Sequence, residues 1–225
     1  MTSAVSSHTH TFAATSPISG QGLFAARAYA AGERLFILRG RLFDSLHRDD
    51  DWFAHSFQLD RNLYLYPEVM EGRYINHSCE PNAGLREDLE MIALCDIPAG
   101  AEICFDYSTC MSEKAWTMAC ACGAPLCRRR IGDFHDLPFE TKRRYLKLGV
   151  VQRFIVREIF EQAALASNSR ITGTEGWSSL AAELLKVMTG SPAATSALVN
   201  FSTPSEGSEG NGEADAPIDV LPNVA

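Results

Sequence analysis

The chain has 225 residues, 46% hydrophobic and 21% charged, with a formal net charge of -8 at pH 7. That is material for one sizeable domain with at most a small appendage. The acidic balance argues against a general nucleic-acid binder, which needs a basic face to displace phosphate counterions. No apolar run reaches the ~18–20 residues of a membrane-spanning helix, so neither direct nucleic-acid binding nor a membrane partner is expected. A cationic partner, such as a lysine-rich peptide, suits the charge.

Residues 1–13 are polar and rich in Ser and Thr, and read as a disordered leader. They have neither the basic nor the apolar stretch of a signal peptide. From residue 14 to 107 short β-type runs alternate with turn residues. Gly22–Ala26 opens the series, and Ala31-Gly32 turns the chain into a strand over Glu33–Leu38. Ser56–Leu59 and Leu63–Tyr66 alternate with period two. Met91–Cys95 is a further strand, and Pro98-Ala99-Gly100 turns into Glu102–Tyr107. Many short strands with irregular connections predict a β-rich α+β fold rather than βαβ units.

After Cys127 the pattern becomes helical. Asp136 is a candidate N-cap with Pro138 in the first turn, a helix runs over 138–148, and Gly149 ends it. Apolar positions at Phe154, Ile155, Ile159, Phe160 and Ala163 predict a second helix over 151–166. A third is predicted over 177–188. From about residue 202 the chain is rich in Ser, Gly, Glu and Pro, the composition of a disordered segment.

There are seven cysteines. An odd number without a secretion signal fits reduced thiols and a metal site, hence the cytoplasm, or the nucleus in a eukaryote. Cys120, Cys122 and Cys127 form a C-x-C-x4-C cluster around a Gly-Ala-Pro turn. Structural zinc takes four ligands, so a fourth must come from elsewhere: Cys79, Cys95, Cys104, Cys110 or a histidine. Arg73–Asn82 (RYINHSCEPN) is the second dense feature, and alone it reads as an Asx-rich turn. Phe105 and Tyr107 stand two apart on a strand and share one face. That face suits core packing, or the wall of a channel for an alkylammonium group. Ser19–Ala25 (SGQGLFA) lacks the third glycine of a dinucleotide fingerprint, and reads as backbone that lets a ligand approach closely. Trp52, beside the acidic run Asp49–Asp51, and the alternating pair Tyr64 and Tyr66 are further groove candidates.

In this order, the four features resemble the SET-domain lysine methyltransferases with a cysteine-rich post-SET tail. The resemblance covers about residues 14–132. It implies a SET domain over 14–115 and a zinc tail over 116–132, and the residue patterns add C-terminal helices over 133–190 and a disordered acidic tail over 200–225. It also implies a fold of small β-sheets in which residues 73–82 thread past the later strand as a pseudoknot. Gly20, Gln21 and Gly22 match the loop that contacts S-adenosylmethionine. Arg73, Asn76 and His77 match the segment that holds the same cosubstrate, partly through backbone groups. Tyr107 matches the tyrosine of the methyl-transfer centre, and Phe105 the position that affects how many methyls are added. A Phe there implies di- or trimethylation. Cys79 matches the fourth ligand, joining Cys120, Cys122 and Cys127 around structural zinc.

The implied reaction is an in-line transfer from a sulfonium to a lysine ε-amine of a protein or peptide. Burial lowers the amine's pKa, and water or a relay through the Tyr107 hydroxyl removes its proton. The sequence also departs from the histone-methylating members. No cysteine cluster precedes residue 20, the stretch from Phe43 to Asn76 is short, and Leu38-Arg39-Gly40-Arg41 stands where Tyr-x-Gly-Glu is usual. The resemblance is thus to the compact form of the family, without the pre-SET module. A small-molecule amine methyltransferase and a non-catalytic zinc module on the same scaffold are the alternatives.

Overall fold

A computed structural model of the chain describes residues 10–44, 55–114, 116–168, 179–182 and 184. It divides into two units, residues 1–158 and 159–225, with the division inside a helix. In the second unit residues 179–182 and 184 are helical, and Leu180 and Leu184 are buried. Residues 1–9 of the expected leader, Trp52 with Asp49–Asp51, most of the third expected helix and the acidic tail lie outside the described residues.

Among the described residues the first unit has four small sheets. One has the order β1-β2-β10-β7, made by Thr11–Thr15, Gln21–Ala25, Glu102–Phe105 and Asn76–His77. A second joins β3 (Arg34–Ile37), β9 (Glu90–Ala93) and β8 (Ala83–Arg86). A third joins β4 (Gly40–Asp44), β6 (Leu63–Pro67) and β5 (Phe57–Asp60). The fourth pairs β11 (Met118–Ala119) with β12 (Arg130–Ile131). Helices are α1 (Met70–Tyr74), α2 (Phe139–Leu148) and α3 (Arg153–Asn168). Among the described residues no helix is long and apolar enough to cross a membrane.

The strands meet over one core that includes Leu23, Leu35, Phe36, Leu65, Leu85, Met91, Ile103 and Phe105. The expected strands are present to within about two residues, because each carries the apolar residues that the core needs. The expected meeting of residues 73–82 with the later strand is also present. β7 runs parallel to β10, with Asn76 opposite Cys104 and His77 opposite Phe105.

Three expectations change. The leader was drawn to residue 13, but β1 begins at Thr11 and pairs antiparallel with β2. Its Ala and Thr residues carry little hydrophobic signal, and the pairing is anchored by Phe12 stacking on Phe24 at 5.7 Å. The strand drawn to Tyr107 ends at Phe105, and Tyr107–Cys110 is a 3₁₀ turn. Asp136 does not cap α2. It closes a short turn over Phe134–Asp136, and Pro138 holds the N-cap position. The far end of α2 is as expected. Gly149 adopts φ 67°, and the N–H groups of Gly149 and Val150 donate to the carbonyls of Leu146 and Tyr145.

The segment after the cysteine tail is fastened back onto the strands. Val150 covers Gly84 of β8 so closely that no Cβ would fit there. The Gln152 N–H donates to the Thr109 carbonyl at 3.1 Å, and its side chain to the Asp88 carbonyl at 3.2 Å. Asp88 in turn accepts from the Arg153 N–H at 2.7 Å, satisfying a donor in the first turn of α3.

Candidate active site

The pairing of β7 with β10 puts the two motif strings side by side, and a cavity of about 490 Å³ opens beside them. Gly20, Gln21, Arg73, Asn76, His77, Phe105 and Tyr107 all line it. Of the residues singled out for the methyl-transfer site, Gly22 alone is not among its lining residues.

Gly22 has a different reason to be glycine. A Cβ there would stand 2.3 Å from the Glu102 Oε1. The bare backbone makes room for a carboxylate of the neighbouring strand. Gly20, by contrast, has φ +48° and open space around its Cα, so its constraint is the turn itself. Glu102 then organises the loop. Its Oε1 accepts from the Ser16 hydroxyl at 2.7 Å and from the Asn76 amide at 2.9 Å. The same amide lies 3.2 Å from the Ser19 carbonyl and 3.1 Å from that of Gln21. Asn76 is thus spent on fixing the glycine loop, and what it offers a ligand is backbone. Asn82, from the same string, bridges the Glu102 carbonyl and the Cys104 N–H at 2.8 and 2.9 Å.

Tyr107 stands where these elements converge. Its hydroxyl donates to the Ile75 carbonyl at 2.8 Å, and its N–H donates to His77 Nδ1 at 3.2 Å. Its ring lies 4.9 Å from that of Phe105, which stacks on Phe57 at 5.5 Å. The two residues are in contact although the strand ends between them. Burial raises the Tyr107 phenol far above its ordinary value. A neutral phenol whose proton is committed to the Ile75 carbonyl is an oriented group with lone pairs to offer.

His77 is buried. Desolvation lowers its pKa to about 4, although the nearby Asp106 charge opposes this and Arg128 adds to it. It is neutral at physiological pH. Since Nδ1 accepts from Tyr107, the proton sits on Nε2, which points at Cys79 Sγ 3.3 Å away. One imidazole thus links the candidate catalytic tyrosine to the cysteines.

The sulfur atoms of Cys79, Cys120, Cys122 and Cys127 all lie within 4.8 Å of one another. Two of the separations, Cys79–Cys120 and Cys120–Cys127, are 3.7 and 3.6 Å. Tetrahedral zinc with Zn–S near 2.3 Å needs about 3.8 Å between sulfurs. The Arg128 and Arg129 N–H groups point at the sulfurs of Cys79 and Cys127, at 3.3 and 3.4 Å, as donors to metal-bound thiolates do. The donor set fits structural zinc. Burial pushes the Cys79 thiol up to about 11, while burial at Cys122 is outweighed by backbone and thiol hydrogen bonds that bring it down to about 7. Cys95 is exposed and Cys104 and Cys110 are buried elsewhere, and among the described residues it is Cys79 whose sulfur joins the other three.

Trp116 also lines the cavity and packs beside Tyr107 against the cysteine cluster. Neither Tyr64 nor Tyr66 reaches the cavity. Tyr64 stacks on Phe43 at 5.4 Å, and Tyr66 receives the Arg73 guanidinium at 5.5 Å from its ring centre. Sequence reasoning passed over Ser16, Glu102, Asp106, Arg128 and Tyr145. An acidic residue between two aromatics, as in Phe105-Asp106-Tyr107, is a visible signal, because a carboxylate on a buried strand needs a partner.

Residues 20–108 match the family model described as SET domain. The human histone-lysine N-methyltransferase 2B is 32% identical over 132 residues, 51% of this chain and 5% of that protein. The Drosophila melanogaster histone-lysine N-methyltransferase trr is 29% identical over 135 residues, 52% of this chain and 6% of that one. The mouse histone-lysine N-methyltransferase NSD3 is 29% identical over 131 residues, covering 50% and 9%. The chain thus matches less than a tenth of the length of each of these relatives. Among solved structures, KRYPTONITE with mCHH DNA, an H3(1-15) peptide and SAH overlaps 53% of this chain and 29% of its own, at 22% identity and a TM-score of 0.45. Arabidopsis thaliana SUVH6 with SAM overlaps 53% and 32%, at 22% identity and a TM-score of 0.44.

Proposed function

With residues 20–108 a SET domain, we propose that the chain is an S-adenosylmethionine-dependent N-methyltransferase acting on lysine ε-amines of a protein or peptide. The observation that carries this is the half-buried Tyr107 phenol, fixed to the Ile75 carbonyl in a cavity walled by the glycine loop, the Asn76-His77 strand and the cysteine tail. S-adenosylmethionine supplies an electrophilic methyl on a sulfonium. Gly20, Gln21, Arg73, Asn76 and His77 are the residues that would hold it, the loop being kept in place by Glu102.

The rest of the chemistry is the chain's own. Phe57 and Phe105 offer an apolar, aromatic wall, which disfavours the charged form of an entering lysine and attracts its alkyl stem. Tyr107 presents lone pairs to a developing positive charge without ionising. Orientation in such a site offsets on the order of 7 kcal/mol or more of a bimolecular barrier. Phe105 carries no hydroxyl to fill the channel, and addition of more than one methyl is part of the proposal. Zinc at the four cysteines would pin the tail that carries Met118, Ala119 and Cys120 against the cavity.

The test is transfer of radiolabelled methyl groups from S-adenosylmethionine to a whole-cell lysate, followed by mass spectrometry, with free amines assayed in parallel. Labelled lysines in proteins are expected. Label confined to free amines would replace the protein substrate with a small molecule, and no label together with no cosubstrate binding in calorimetry would end the enzymatic reading.

A further inference from the structure

The Asp106 carboxylate lies directly before Tyr107 in the chain and is fully buried. Its Oδ2 accepts from Arg128 Nη1 at 2.8 Å and from the Tyr145 hydroxyl at 2.9 Å. Its Oδ1 accepts from Arg128 Nη2 at 2.8 Å and from the Ser108 N–H at 3.1 Å. A carboxylate has about four lone-pair sites, and here all are taken. Asp106 therefore has no acceptor site left with which to bind a substrate. What it does is join three separate parts of the chain.

The first is the turn that carries Tyr107, which Asp106 caps through Ser108 while its carbonyl accepts from Thr109. The second is the cysteine tail. Arg128 follows the ligand Cys127, and the same residue gives its N–H to the Cys79 sulfur and its guanidinium to Asp106. The third is α2, which lies beyond the residues that match the SET family model and supplies Tyr145, 1% exposed. Val150 over Gly84 and Gln152 on Thr109 fix the end of α2 independently. Tyr145 thus holds one carboxylate oxygen from an anchored frame.

We propose that Asp106 is the positioning residue of this centre and that α2 takes part in the reaction through it, Tyr145 and Arg128 holding Tyr107 and the cysteine tail in one register. The proposal rests on the methyltransferase reading for its catalytic half. The carboxylate orients the turn, the turn orients the phenol, and Arg128 carries the same alignment to the cluster. α2 is on this account a working wall of the active centre.

Tyr145→Phe in the full zinc-loaded chain is the test, because it keeps the ring that fills the core and removes one oxygen. Turnover is expected to fall about tenfold, a single misaligned contact being enough for that, with KM for S-adenosylmethionine within about twofold. Zinc transfer to a chromogenic chelator is expected to quicken severalfold. If Tyr145 acts through Tyr107, the same change in a Tyr107→Phe background costs less than about twofold more. Wild-type turnover in Tyr145→Phe, or the same tenfold loss in both backgrounds, overturns the proposal. The chelator measurement needs no methyl acceptor. It decides the structural half even if the chain transfers no methyl groups, and unchanged zinc release overturns that half.

Discussion

Two buried polar knots flank Tyr107, and they are built on opposite principles. The cysteine knot brings four soft ligands, two buried and two half-buried, within 4.8 Å of one another, a donor set that a cation would close. The Asp106 knot is complete in itself: one carboxylate, one guanidinium, one phenol and one N–H satisfy each other. His77 touches the first through Cys79 and lies beside the second, with Nδ1 3.5 Å from Asp106 Oδ1. The contrast teaches that the tail is held over the site twice, once conditionally on metal and once unconditionally by charge pairing.

Breaking each knot in turn measures that difference. Asp106→Asn strands the largely buried Arg128 without its counter-charge and is expected to cost about 3–5 kcal/mol in chemical denaturation. The loss should be similar with and without chelator. A loss that vanishes on chelation would make the Asp106 knot subordinate to the metal. Chelating zinc from the wild type is expected to remove about 4 kcal/mol where free metal stood near a thousandfold over its dissociation constant. An unchanged melting temperature on chelation would leave the four sulfurs without a structural ion.

Tyr107→Phe probes what both knots hold. Losing one oriented polar group at a reacting centre costs on the order of 100-fold, about 2.7 kcal/mol of barrier. Cosubstrate affinity by calorimetry and zinc content should be unchanged, and normal turnover would remove Tyr107 from the mechanism. Gly22→Ala drives a methyl into the Glu102 carboxylate and is expected to cost about 2 kcal/mol of stability. Its effect on cosubstrate affinity should be the larger one, since Glu102 holds the loop. Least in size is the pH effect. A raised phenol pKa means that the protonated form persists as pH climbs through the ordinary value near 10. Turnover should rise with pH as the lysine amine is freed, with no falling limb from Tyr107 below about pH 10. A falling limb that disappears in Tyr107→Phe would contradict the neutral phenol.

Much of the frame was legible in the chain itself. Period-two runs mark β5 and β6, and apolar runs cut by turn residues mark β3 and β9. Gly149 gave the end of α2, because a left-handed cap favours glycine. β1 was not legible, since Thr-Phe-Ala-Ala-Thr has no strong period and exists as a strand through its pairing with β2. Gly22 is visible as a constraint, but sequence shows only that a side chain is missing and not that Glu102 presses against the gap.

The sequence by itself determined which chemistries were present: three thiols within eight residues, an Asn-His-Ser-Cys string, a tyrosine after an aspartate and a phenylalanine, and an acidic composition. Those are local facts, fixed by residue type and spacing. Only the tertiary structure decided that Cys79 joins Cys120, Cys122 and Cys127, that His77 is neutral, and that Asp106 joins Arg128 and Tyr145. Each depends on groups far apart in the chain being brought within hydrogen-bonding or ligand distance, and on the loss of water that gives such contacts their strength.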